Sequence, residues 1–215
     1  MNPASVCTDC HGTHNISKPL NTRSEDAQSA DWIAAFNGRD LSGWQTSDKS
    51  CWTVKSGQII GTGGEKHQGG MLWTKETYED YLLAVTFRAT WPIHAGIWLR
   101  GDGSNYGPRV EIFEPEQANA PKAYTGSVWM ERQGLALANL RDNFVDREGW
   151  NTLSVRMEGD KVQVWLNGDE IGSVRVAGPA KGRVGLYIGK QAASKSAELS
   201  VREVLIQRLA KAEAN

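Results

Sequence analysis

The sequence predicts an all-β fold, a sandwich of two antiparallel sheets. Three observations support this prediction. Short segments of alternating apolar and polar residues recur along the chain, turn-forming residues separate them, and helical periodicity is nearly absent. The 23 glycines among 215 residues suit a chain with many tight turns. A chain of this length buries a full core as one domain, because all-β sandwiches often reach this size.

The predicted strands follow one another from residue 52 to residue 206. The first two are short and flank a Ser-Gly turn within Trp52–Gly61. Asn167-Gly168 predicts a hairpin turn, because both residue types tolerate positive φ. The other predicted strands are Tyr81–Arg88, Gly96–Arg100, Arg109–Phe113, Gly126–Met130, Trp150–Met157, Lys161–Leu166, Arg183–Ile188 and Ala197–Ile206.

The chain divides into a polar leader, residues 1–28, and a β domain, residues 29–210. The leader is aperiodic and lacks a core of its own.

The net charge of −1 gives no reason to expect a nucleic-acid partner. No apolar run reaches 18 residues, so no transmembrane segment is expected. Met1–Ser5 lacks the features of a signal peptide; we predict a periplasmic or extracellular protein whose signal lies outside this chain.

The leader carries a short cysteine and histidine motif. Cys7, Cys10 and His11 fit the attachment pattern of haem c, and His14 close behind is typical of multihaem cytochromes. Three interpretations stay open: a haem c site, a zinc site with poor ligand spacing, or a segment without a cofactor. A segment of this length cannot enclose a haem by itself. The haem interpretation implies an electron-transfer or haem-domain partner.

Side chains alternate between the two faces of a strand, which sorts the predicted strands into an aliphatic core face and an opposite face. The opposite face mixes arginines and a carboxylate with large rings. Rings stack on the C–H faces of sugars, and charged groups bond their hydroxyls. This predicts a carbohydrate groove on a concave sheet, with a satellite core under loops as the alternative. The predicted substrate-binding residues are Arg88, Trp98, Arg109, Phe113, Lys122, Trp129 and Tyr187.

Glu111, His94 and Arg100 are the predicted catalytic residues. Glu111 is expected in the middle of the sheet near Arg100 and Arg109, whose charges would keep it ionised as a base or a metal ligand. A structural ion pair is the alternative for Glu111. His94 is expected in a loop at the groove edge, where an imidazole serves as a base or a ligand. A surface histidine without a role is the alternative for His94.

Six segments follow one another in an informative order and spacing: Phe36–Trp44, Trp52–Gly61, Leu72–Tyr81, Gly149–Thr152, Val164–Gly168 and Gly182–Leu186. Together they are similar to the 3-keto-disaccharide hydrolase domain family. The resemblance covers roughly residues 32–209. It implies a concanavalin-like jelly-roll fold and activity on sugars.

The reaction that this resemblance implies starts from a sugar already oxidised at C3. The ketone acidifies the C2 proton, a base removes it, the glycosidic group leaves and water adds. A divalent metal is a further implied cofactor. Two departures from the family pattern stand out. His94 and Ala95 stand where the family usually has asparagine and serine, and Leu186–Lys190 lacks a histidine that many members carry. The alternatives are a non-catalytic carbohydrate-binding domain and the tail domain of a haem c electron-transfer protein.

Overall fold

A computed structural model describes residues 31–46, 48–103, 106–114, 123–131, 133–190 and 197–210. These residues form fifteen β-strands and no helix. The strands are β1 (Ile33–Ala34), β2 (Trp44–Gln45), β3 (Trp52–Lys55), β4 (Gln58–Gly61), β5 (Gly70–Thr74), β6 (Tyr81–Ala89), β7 (His94–Gly101), β8 (Pro108–Phe113), β9 (Val128–Met130), β10 (Gly134–Leu137), β11 (Asn151–Glu158), β12 (Lys161–Leu166), β13 (Asp169–Arg175), β14 (Arg183–Ile188) and β15 (Leu199–Arg208).

The described strands form two antiparallel sheets that face each other. The eight-stranded sheet has the order β13-β12-β11-β6-β15-β4-β3, with β1 added beside β15. The seven-stranded sheet has the order β10-β9-β8-β7-β14-β5-β2. Strands distant in sequence are neighbours in both sheets, as in a jelly roll. The predicted all-β sandwich is therefore confirmed.

Alternation of side chains builds the core between the sheets. In β6 the residues Tyr81, Leu83, Val85 and Phe87 are fully buried, and they face the aliphatic side chains of β7, β8 and β14. The predicted hairpin turn after β12 has φ values of 54° at Asn167 and 91° at its glycine. Positive φ at both positions matches the right-handed twist of the paired strands.

Two features of β7 decide which side chains reach the candidate site. The strand begins at His94, which pairs with Phe113 of β8, so this histidine is a strand residue and not a loop residue. Near its other end, β7 carries one extra residue relative to β14: Trp98 pairs with Gly185, whereas Gly101 pairs with Arg183. A bulge of this kind interrupts the alternation of side chains. Within the described ranges, no helix is long and apolar enough to span a bilayer.

Candidate functional site on the seven-stranded sheet

The outer face of the seven-stranded sheet carries a group of polar side chains, which we call the Glu111 cluster: His94, Arg109, Glu111, Glu131 and Tyr187. These residues come from β7, β8, β14 and the turn after β9. The core-facing residues of the same strands are aliphatic, so alternation places the cluster on the opposite face. Sequence periodicity predicted this face for three of the five.

A glycine in β7 allows the cluster to form across three strands. Gly96 pairs with Glu111 on one side and with Tyr187 on the other. A Cβ atom at Gly96 would lie 2.7 Å from the Tyr187 Cε1 atom and 2.4 Å from the Val110 carbonyl oxygen. Because this position has no side chain, the Tyr187 phenol extends across β7 and donates a hydrogen bond to Glu111 Oε2.

The Glu111 carboxylate is the centre of the cluster, and its side chain is only 4% exposed. Arg109 Nε donates to Glu111 Oε1 at 2.5 Å. His94 Nε2 lies 3.4 Å from Oε2, the oxygen that also accepts the Tyr187 hydroxyl. Both carboxylate oxygens therefore have partners, as a buried charge requires.

The electrostatics of the cluster favour an ionised Glu111 beside a protonated phenol. Burial alone would raise the pKa of Glu111, but the hydrogen bond from His94, the charge of Arg109 and the hydrogen bond from Tyr187 outweigh it and lower the pKa below its usual value. Burial and the charge of Glu111 raise the pKa of Tyr187 well above its usual value. Glu111 is thus an acceptor and Tyr187 a donor throughout the physiological pH range.

His94 is the member of the cluster that meets solvent, with 57% of its side chain exposed. The ring packs edge-on against Tyr187 with centroids 5.7 Å apart, and it lies 6.1 Å from the Phe113 ring. A Cβ atom at Gly189 would lie 3.0 Å from His94 Nδ1, so that glycine leaves space for the imidazole. The contact with Glu111 directs Nε2 toward the carboxylate and leaves Nδ1 as the second nitrogen.

Arg109 joins the buried carboxylate to the rim of the site. Its Nη1 donates to Glu131 Oε2 at 2.6 Å, and half of the Glu131 side chain is exposed. The guanidinium carbon lies 5.4 Å from the Trp98 ring centroid and 5.8 Å from those of Trp129 and Tyr187. Two carboxylates and three rings thus hold the arginine in one orientation.

The large rings divide into a buried floor and a more accessible edge. Trp73, Trp98 and Tyr187 are 6%, 2% and 7% exposed and form a second hydrophobic cluster. Rings buried to this extent form a packed floor. For these three rings, this corresponds to the satellite core that the sequence offered as the alternative to a carbohydrate groove. Phe113 and Trp129 are half-buried and keep ring surface toward solvent. Stacking on a sugar is therefore available to these two rings.

Sequence reasoning missed Trp73 and Glu131. Trp73 lies on β5, where no strand was predicted, and its ring rests over Gly185 and Gly101, which lack side chains. Glu131 directly follows the last residue of β9. One feature of the sequence could have indicated Glu131. It comes one residue after Met130, the last residue of β9, and β9 pairs with β8, which carries Arg109.

The structure separates Arg100 from the cluster. The bulge in β7 and a φ of 49° turn its side chain toward the eight-stranded sheet, where it is 2% exposed. Its guanidinium donates to Asp80 Oδ1 at 2.5 Å, to the Gly159 carbonyl at 2.6 Å and to the Glu79 carbonyl. Simple alternation predicted Arg100 beside Glu111, and the extra residue in the strand is the reason that it lies elsewhere.

Arg88 also differs from its predicted place, because β6 belongs to the other sheet. It is exposed on the outer face of the eight-stranded sheet, with its guanidinium 5.2 Å from the Trp150 ring.

Lys122 lies outside the described residues, as do Cys7, Cys10 and His11. The haem c site and its partner therefore stay predictions. No group of three or more His, Cys, Asp or Glu side chains placed to hold a metal occurs within the described ranges, and the divalent metal also stays a prediction.

Comparison with known protein families identifies the family of this chain. Residues 31–207 match the 3-keto-alpha-glucoside-1,2-lyase-like domain family. The chain belongs to this family. The resemblance drawn from the sequence motifs is thus confirmed over nearly the whole described region. Among curated proteins no match is found.

Solved structures share the fold of this lyase-like domain at low identity. A candidate glycosyl hydrolase from Parabacteroides distasonis is 16% identical with a TM-score of 0.64, over 88% of this chain and 99% of that one. A Bacillus subtilis protein with a galectin-like fold is 13% identical with a TM-score of 0.66, over 85% and 96%. The carbohydrate-binding module CBM66 from Bacillus subtilis is 13% identical with a TM-score of 0.56, over 77% and 95%. These likenesses establish the jelly-roll fold.

Proposed function

We propose that the protein cleaves 3-keto-glycosides by elimination and hydration, with His94 as the base and Glu111 as its positioning partner. The observation that carries the proposal is the pairing of an exposed imidazole with a buried, ionised carboxylate, 3.4 Å apart on one sheet face. Family membership supports the reaction class. The carboxylate selects one imidazole tautomer and stabilises the imidazolium that forms when the ring accepts a proton.

The division of roles follows from exposure. Glu111 was the first candidate for the base, but a side chain that is 4% exposed and bonded on both oxygens cannot approach a substrate proton. His94 can, because more than half of its side chain meets solvent. Its nitrogen Nδ1, which does not face the carboxylate, is the atom that we assign as the proton acceptor.

The reaction proceeds in three balanced steps. His94 takes the proton from C2, and the electron pair of that C–H bond is delocalised onto the C3 ketone as an enolate. The enolate then expels the glycosidic oxygen from C1, which forms a C1–C2 double bond and restores the C3 ketone. The departing oxygen takes the proton from the His94 imidazolium, so that the base is neutral again. Water finally adds across this double bond, with hydroxyl on C1 and hydrogen on C2.

Variants of the two residues test this proposal. We expect His94→Gln to lower the turnover of a 3-keto-glucoside by about 100- to 10,000-fold, the usual contribution of a positioned base. Glu111→Gln should also lose turnover, because an amide cannot stabilise an imidazolium. Glu158→Gln is the matched control, an exposed carboxylate on the eight-stranded sheet that should leave the rate unchanged. Wild-type turnover by His94→Gln would refute the assignment of the base.

Sugar binding without turnover is the second candidate function. CBM66, whose name describes a carbohydrate-binding module, shares the fold, and Leu186–Lys190 lacks the family histidine. The same assay distinguishes the two functions when it is combined with calorimetric titration. Binding of a keto sugar by the wild-type protein, with no product released in the presence or absence of a chelator, would favour the binding domain. Under either function, the periplasmic or extracellular location stays a prediction.

A further inference from the structure

The rim carboxylate Glu131 occupies the place where an acidic substrate group would meet Arg109. Its Oε2 accepts from Arg109 Nη1 at 2.6 Å, which is the geometry of a charge-assisted hydrogen bond between an arginine and a bound anion. Half of the Glu131 side chain is exposed, whereas only 16% of the Arg109 side chain is. Glu131 therefore covers the solvent side of the guanidinium.

The charge of the surrounding groups adds to this effect. Arg109 is shared between Glu111 on its buried side and Glu131 on its exposed side, so that one positive charge faces two carboxylates. An incoming carboxylate or sulfate would have to displace Glu131 and would meet the buried negative charge of Glu111 behind the guanidinium. A neutral sugar hydroxyl meets no such repulsion.

We propose that Glu131 determines specificity, because its carboxylate fills the anion position on Arg109 and restricts the site to neutral glycosides. Uronides and sulfated sugars would then be excluded. This inference rests on the proposed function in one respect, namely that the Glu111 cluster receives a sugar. It does not depend on catalysis, because the selection acts on binding.

The test measures binding of glucuronate and of glucose to the wild-type protein and to Glu131→Ala by calorimetric titration. Glucuronate differs from glucose by a carboxylate at C6, so the pair isolates the effect of the charge. We expect the wild-type protein to bind glucuronate no better than glucose. We expect Glu131→Ala to gain glucuronate affinity by about 10- to 100-fold, the effect of one hydrogen bond to a charged group.

Two further variants separate this mechanism from a general change of charge. Glu114→Ala removes another carboxylate, which is paired with Arg147 and not with Arg109, and it should gain no glucuronate affinity. The double variant Glu131→Ala, Arg109→Gln should lose the gain, because the guanidinium is absent. Thermal unfolding curves establish that each variant is folded, and the exposed position of Glu131 favours this for the key variant.

Each possible result supports or overturns the role of Glu131 in specificity. A gain in Glu131→Ala that requires Arg109 supports it. It is overturned by the absence of a gain, by an equal gain in Glu114→Ala, by a gain that survives loss of Arg109, or by wild-type preference for glucuronate. Failure of the proposed catalytic function would appear separately, as a lack of turnover of 3-keto-glycosides with the binding preference intact.

Discussion

Arg100 is expected to stabilise the fold by joining the two sheets. It starts from β7 of the seven-stranded sheet, and its guanidinium ends among groups of the eight-stranded sheet: Asp80 before β6, and Gly159 in the turn between β11 and β12. Glu79 supplies a third acceptor through its backbone carbonyl. The change Arg100→Met keeps much of the aliphatic volume and removes all three hydrogen bonds.

The expected loss follows from the burial of the groups left behind. Removing one partner of a buried ion pair costs about 3–5 kcal/mol in the free energy of unfolding, because the other charge is left uncompensated. Asp80 is 24% exposed and keeps a hydrogen bond from the Gly159 amide at 2.9 Å, so its charge is partly compensated. The lower end of the range applies, about 3 kcal/mol. For a chain of this size, this corresponds to a fall in Tm of about 6–12 °C.

Thermal and urea unfolding, followed by circular dichroism, would measure the effect. Arg175→Met is the matched control, because Arg175 pairs with Asp160 at a position where the side chains are 77% and 55% exposed. Its Tm should stay within error of the wild-type value. Arg100→Lys should fall between the two, because an ammonium can pair with Asp80 but cannot reach all three acceptors in the planar geometry of a guanidinium.

The reasoning is refuted if Arg100→Met loses no more stability than Arg175→Met. A second readout concerns catalysis. Since Arg100 lies apart from the Glu111 cluster, folded Arg100→Lys should retain the turnover and sugar affinity of the wild-type protein. A selective loss of turnover in a stably folded variant would return Arg100 to the catalytic set that the sequence predicted.

Three further predictions concern the cluster and the leader. The pKa of Glu111 is lowered from its usual value of 4.5 in the folded protein, so this carboxylate stabilises the fold fully above pH 4.5. That contribution is lost as the pH falls through the lower pKa of the folded state. The stability of Glu111→Gln in acid unfolding should therefore depend less on pH below 4.5 than the stability of the wild-type protein. Gly96→Ala places a methyl group against backbone and should destabilise the fold by about 1–3 kcal/mol, whereas Gly43→Ala, with 3.4 Å to the nearest atom, should be tolerated better in the same thermal assay. If the leader attaches haem, protein expressed with a haem c maturation system will show a Soret band that is lost on Cys7→Ala; absence of the band in the wild-type protein would reject the haem interpretation.

Local pattern was sufficient to predict the architecture. Period-two alternation in segments such as Tyr81–Arg88 and Arg183–Ile188 specified strands and their core faces, because a strand that is buried on one face must alternate. The Asn-Gly turn after β12 followed from the tolerance of these residues for positive φ. Glu111, Arg109 and Tyr187 were correctly expected on one face for the same reason.

Strand pairing and register decided the positions of the other predicted site residues, because a local sequence pattern does not encode which strands become neighbours. Arg88 and Arg109 have the same alternation, yet they lie on different sheets because β6 pairs with β11 and β15. One extra residue in β7 turned Arg100 away from the face that alternation predicted. The sequence alone determined the all-β sandwich and the shared sheet face of Arg109, Glu111 and Tyr187. Only the tertiary structure decided that Gly96 lies between Tyr187 and Glu111 and that His94 remains open to solvent, because these contacts join residues far apart in the chain.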